Sequence, residues 1–124
     1  MEKLTKSELD TWRQYSKMKG SNIHRCKVNT LNVHFNGEYE HELAKFKIFW
    51  DLRKNGSKVI TECWDKEGNR RDLVDISTGE VYEIETTPER AARFIGQHIN
   101  IIPVGWSFED EKWIKLKEKR GTES

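Results

Sequence analysis

From Arg70 to Thr87 apolar and polar residues alternate on both sides of Ser77-Thr78-Gly79-Glu80, the pattern of two short strands around a tight turn. The spacing predicts strands over about Arg71–Ile76 and Val81–Thr86, with Ile76 opposite Val81, Val74 opposite Glu83 and Asp72 opposite Glu85. Upstream, Glu38 to Lys54 has helical periodicity, and Asn55-Gly56 closes it. Tyr39, Leu43, Phe46, Phe49/Trp50 and Arg53 recur at three- and four-residue steps, and Glu42 shares their stripe, which predicts a carboxylate on the buried side of the helix. Lys58–Trp64 reads as a β-branched and aromatic strand, followed by a polar turn at Asp65–Asn69. Thr87 and Pro88 open a further helix that ends at Gly96, and the apolar run Ile99–Val104 suits a strand buried on both faces. Glu109–Arg120 is a charged helix resting on Trp113 and Leu116. At the other end, residues 5–20 have the spacing of a helix stopped by Gly20, and Asn22–Phe35 alternates weakly, as a strand or an extended arm would.

The order from Glu38 onward is therefore α-β-β-β-α-β, a mixed sheet flanked by helices in an α/β fold. Because side chains alternate faces along a strand, Asp72, Glu83 and Glu85 fall on one face of the hairpin. Like charges set opposite each other cost stability. A folded chain accommodates them on a well-solvated face or around a cation, and the first of these is the plain amphipathic strand. Asp75 is the rival aspartate: this register turns it away, and a bulge would exchange it with Asp72. Asp72 also has a plainer role open to it, as a strand-start residue paired with Arg70 or Arg71, and Glu42 as a side chain snorkelling at the edge of its stripe.

The chain has 124 residues, enough for one domain. Three stretches divide it: 1–37 an N-terminal helix and arm, 38–104 the core, and 105–124 a C-terminal helix and tail. Charged residues make up 35%, but five Trp, five Phe and three Tyr supply material for a core. A net charge of +1 gives no global attraction to a polyanion or a membrane surface. The two cysteines, Cys26 and Cys63, permit one disulfide and no zinc site. No run approaches a membrane span, and the opening MEKLTKSELD carries no apolar leader, so a cytoplasmic setting is the default. The four histidines show no metal-ligand spacing, and no nucleophile elbow, phosphate-binding loop or dinucleotide fingerprint occurs.

The element order, the helical Glu42, Asp72 on the second strand and Glu83-Ile84-Glu85 on the third together resemble the PD-(D/E)XK nuclease superfamily. The resemblance spans about residues 38–104 and implies a restriction-endonuclease-like αβββαβ core. By position, Asp72 looks like the family's metal-binding aspartate and Glu83 like the acidic member of its E-x-K unit. The backbone carbonyl of Ile84 is implied as a further ligand, and Glu42 looks like the helical glutamate of many members. Glu85 stands where most members carry lysine, a departure found in some restriction enzymes.

What the resemblance implies is a nuclease that hydrolyses DNA with Mg²⁺ or Mn²⁺. Asp72 and Glu83 would hold the ion, Glu85 would orient or deprotonate water, and Glu42 would hold a metal-bound water. Arg71, Arg90 and Arg93 are candidate phosphate contacts, although arginine on an exposed helix is more often only solvated. A homodimer is expected, with Trp106 and Trp113 as candidate contacts. Two other readings stay open: a non-catalytic nucleic-acid-binding module on the same fold, and a small viral or accessory interaction protein.

Overall fold

The computed structural model describes residues 3–20 and 23–122; Asn22, at the start of the expected arm, lies outside them. Helix α1 spans Lys6–Trp12 and is opened by a capping box, in which Thr5 Oγ1 accepts the Glu8 N–H and Glu8 Oε1 accepts the Thr5 N–H. The helix expected to reach Gly20 stops earlier because Ser16 takes extended partners. It exchanges two backbone hydrogen bonds with Trp64, at 2.9 and 2.8 Å. Strand pairing there takes the backbone groups that further helical turns would have used.

The segment after it is an arm without regular strand structure. It runs along Val59–Trp64, the strand β1. Asn29 exchanges hydrogen bonds with Val59, and Asn32 donates to Thr61 Oγ1 at 3.1 Å. Cys26 on the arm and Cys63 on β1 form a disulfide.

Helix α2, Tyr39–Lys54, ends in a Schellman motif, with the Ser57 N–H on Leu52 O and the Gly56 N–H on Arg53 O, both 3.0 Å. Gly56 sits at φ 89°, where a side chain would be strained. The buried side of α2 keeps only part of the predicted stripe, Glu42 and Phe49. Ala44, Ile48, Phe49 and Leu52 pack on the sheet, while Tyr39, Leu43, Phe46 and Trp50 face out. Both sets have helical spacing, so periodicity alone could not choose between them.

The sheet has the order β1-β2-β3-β4, with β2 Arg70–Asp75, β3 Val81–Glu85 and β4 Ile99–Pro103. The first two pairings are antiparallel and β3–β4 is parallel. The crossover is α3, Pro88–Ala91, capped by Thr87 and continued by a 3₁₀ turn over Ala92–Phe94. The β2–β3 register is two residues away from the expected one, pairing Val74 with Val81 and Leu73 with Tyr82. Asp75 is the reason. Its buried Oδ1 accepts the N–H groups of Ser77 and Thr78, so the turn begins one residue early. A shift of two keeps Val74, Ile76 and Val81 together on the Tyr15 face as predicted. The alternation breaks at Asp72, which reaches His41 on α2 while Arg71 turns towards Glu83; Asp75 is engaged by the turn instead.

One face of the sheet packs on α2 through Val59, Leu73 and Ile84; the other buries Ile60, Val74 and Ile76 with Tyr15 and the disulfide. β4 is a half-buried strand, not one buried on both faces, and among the described residues it pairs with β3 alone at the edge of the sheet. Helix α4, Glu111–Thr122, is held by a cluster of Trp106, Phe108 and Trp113. The two tryptophans expected as surface contacts are thus packing residues: Trp113 is buried, and Trp106 Nε1 donates to Glu85 O at 2.8 Å.

Candidate functional site

The pocket lies where β2 and β3 part. Their ladder stops at Leu73–Tyr82, and the next link is a side chain: the Ile84 N–H donates to Asp72 Oδ2 at 2.8 Å. The N–H and C=O of a strand residue point towards the same neighbour, so the Ile84 carbonyl faces this gap as well. Glu83 and Glu85 flank it, and both are buried. A cavity of about 520 Å³ opens here, lined by Glu42, Glu62, Asp72, Glu83, Ile84 and Glu85 together with His34, His41, Arg70, Arg90 and Arg93. The four carboxylates singled out from sequence therefore line one pocket, joined by a fifth.

That fifth is Glu62, which the apolar strand pattern concealed. It adopts φ 55° in the middle of β1, opposite Asp72 in the register where no ladder pair forms. Its side chain reaches Lys45 Nζ at 2.8 Å and Arg70 at 2.6 Å. Lys45 is fully buried on the inner side of α2 and also contacts Glu42 Oε1 at 2.9 Å. The sequence held a signal for it: Lys45 stands three before Ile48 and seven before Leu52, on the stripe that became the buried one.

Glu42 is held from several sides. Burial pulls its pKa up, but the His34 N–H at 2.7 Å, Lys45 and His41 outweigh that and hold it at about 2. His41, which spacing gave no role, has Nδ1 at 2.9 Å from Glu42 Oε2 and Nε2 at 3.5 Å from Asp72 Oδ2. The Asp72 carboxylate, helped by Glu42, raises the imidazole to about 9 against the pull of burial. At neutral pH an imidazolium thus bridges the two carboxylates. Asp72 pairs with it, and not with Arg70 or Arg71.

Glu85 Oε1 receives Arg93 at 2.7 Å, and that guanidinium lies over the Phe94 ring. Arg90 lines the same rim. Arg71 does not stand with them: its side chain turns into the fold, 3.3 Å from Asp65 and 3.6 Å from Glu83. Glu83 is the exception among the five acids. Its Oε1 is buried and has no hydrogen-bond partner, since Arg71 is too distant to donate. Burial, and then the neighbouring charge of Asp72, push its carboxyl well above the usual carboxylate range.

The donor set is made of hard oxygens, which suits Mg²⁺ or Mn²⁺, and the Glu83 oxygen, with Arg71 at 3.6 Å and no hydrogen bond, is the atom left with unmet acceptor capacity. Among the described residues, however, no three His, Cys, Asp or Glu side chains stand together in the arrangement of a metal site; His41, Lys45 and Arg93 now occupy the neighbouring carboxylates. Among those residues, too, no helix is long and apolar enough to cross a membrane. No protein-family model, no curated protein and no solved structure matches this chain.

Proposed function

We propose that the protein is a metal-dependent nuclease that hydrolyses DNA phosphodiester bonds on a restriction-endonuclease-like core. The observation that carries the reading is Glu83: a carboxylate buried without a hydrogen bond to Oε1, in an open pocket with Asp72, Glu85 and Glu42. Such a group costs free energy unless it is protonated or paired with a cation. Asp72, Glu83 and the Ile84 carbonyl are the atoms that would hold a divalent ion. When bound, that ion supplies an acidified water and neutralises charge building up on the phosphate.

The chain's own groups have separable tasks. Arg90, Arg93 and Arg70 form a cationic rim that would receive the phosphate backbone. Arg93 would exchange its contact with Glu85 for one with phosphate, which frees the Glu85 carboxylate to accept a proton from water. Glu42 fixes His41, and His41 in turn orients Asp72. An imidazolium between Glu42 and Asp72 is the charge that an arriving ion would displace.

Incubating labelled linear, branched and single-stranded DNA with Mn²⁺ or with EDTA, for wild type and Glu83→Gln, tests the reading. We expect cleavage by the wild type in Mn²⁺ alone. Absence of cleavage of every substrate, with no thermal stabilisation by Mn²⁺, would refute it. One observation favours a second reading, a non-catalytic DNA-binding module: His41, Lys45 and Arg93 already neutralise three of the acids. That reading requires DNA retention in EDTA and no cleavage under any condition.

A further inference from the structure

Helix α2 carries two apolar stripes, and the fold uses one. The other, Tyr39, Leu43, Phe46 and Trp50, is 72%, 37%, 45% and 59% exposed. Its steps of four, three and four residues are those of the seam by which two helices pack along their length. The Phe46 and Trp50 rings lie 6.1 Å apart and, with Lys47 and Asp51, bound a shallow apolar hollow. With roughly 150–250 Å² on each aromatic side chain, this stripe leaves on the order of 400 Å² of apolar surface bare, a patch size that on monomers is commonly functional. Two such patches brought together cover about 800 Å², and the stems of flanking charged residues carry the total towards the ~1,000 Å² where specific interfaces begin.

The charges flanking the stripe select the occupant. Glu40 lies in the first turn of α2 and Lys54 in the last, both exposed. A second copy laid antiparallel sets Glu40 against the partner's Lys54 twice over, with the helix dipoles opposed. A parallel copy would set like charges together. Nucleic acid is a poor fit, since Glu40 and Asp51 accompany the lysines along this face. We infer that the outer face of α2 is a homodimer interface, in which two copies meet antiparallel with Phe46 near the two-fold axis and Leu43 against the partner's Trp50. Glu42 and Lys45 point inward from α2, so the interface leaves the acidic pocket free. The inference does not depend on the nuclease reading.

Sedimentation velocity across the micromolar range tests it on the full chain. The wild type is expected to pass from monomer to dimer with concentration. Trp50→Glu is expected to stay monomeric with an unchanged circular dichroism spectrum. Glu40→Lys should raise the dimer dissociation constant roughly tenfold, and adding Lys54→Glu to it should restore the wild-type value. A wild type that stays monomeric throughout, a dimer that survives Trp50→Glu, or a double reversal no better than Glu40→Lys alone would each overturn the interface.

Discussion

The Ile84 N–H donates to Asp72 Oδ2 at 2.8 Å, so a side chain takes the place of a main-chain ladder bond at the point where β2 and β3 separate. Asp72 therefore has a structural task besides any chemical one, and two substitutions divide them. Asp72→Asn keeps an oxygen for Ile84 and should melt close to the wild type while losing Mn²⁺-dependent cleavage. Asp72→Ala leaves a partly buried N–H unmet and should lose about 1–3 kcal/mol in a denaturant titration.

Glu83→Gln should stabilise the ion-free protein. Its carboxyl titrates above the usual range, so the fold holds that proton more tightly than the unfolded chain does. The cost of ionising it is absent below pH ~4.5 and grows as pH rises towards about 8. The advantage of the glutamine variant should follow the same course, reaching on the order of 1–2 kcal/mol at the alkaline end. Thermal melts across this range check it, and a variant less stable than wild type at pH ~8 would contradict the assignment.

Lys45 is the one cation wholly enclosed between two carboxylates, among the described residues. Lys45→Met should cost about 3 kcal/mol, because Glu42 and Glu62 lose the buried ammonium they share and keep only the more exposed His41 and Arg70. Combining it with Glu42→Gln and Glu62→Gln should recover much of that loss, which calorimetry would register as a rise in Tm over the single variant.

Far from the pocket, Glu8 ties α1 to the β2–β3 turn. It meets Lys58 Nζ at 2.8 Å, Ser77 Oγ at 2.6 Å and the Thr5 N–H at 2.9 Å. Lys58, with Ser77 and Thr5, lowers its pKa to about 2. A depressed carboxyl contributes stability that is complete above about 4.5 and lost as pH falls towards 2. Glu8→Gln should cost about 1–3 kcal/mol at neutral pH, and acid unfolding curves of variant and wild type should converge across that interval.

The fold was legible wherever a local rule sufficed. Alternation, the turn residues and the Thr87-Pro88 cap placed the elements from Glu38 onward, and an error of two in register left Val74, Ile76 and Val81 on their predicted face because side chains repeat with that period. Asp72, Glu83 and Glu85, expected together, do line one pocket, but they meet in the gap between β2 and β3, with Asp72 turned to His41 on α2, and not on a single strand face. What escaped were long-range choices. Two stripes on α2 obey one spacing, and only the sheet beneath decides between them. Glu62 reaches the pocket through a left-handed backbone in an apolar strand, which no propensity signals. His41 and Lys45 gain their roles from carboxylates brought in by other elements.

The arm that lies along β1 has a bearing on where this chain can be cut. Residues 38–104 look self-sufficient as a block of elements, yet the outer edge of their first strand is satisfied by Asn29, Asn32 and Ser16. A fragment trimmed to that block would present a bare row of amide and carbonyl groups beside Val59 and Thr61, a template for intermolecular β-stacking. Such a fragment should precipitate, whatever the merits of its hydrophobic interior.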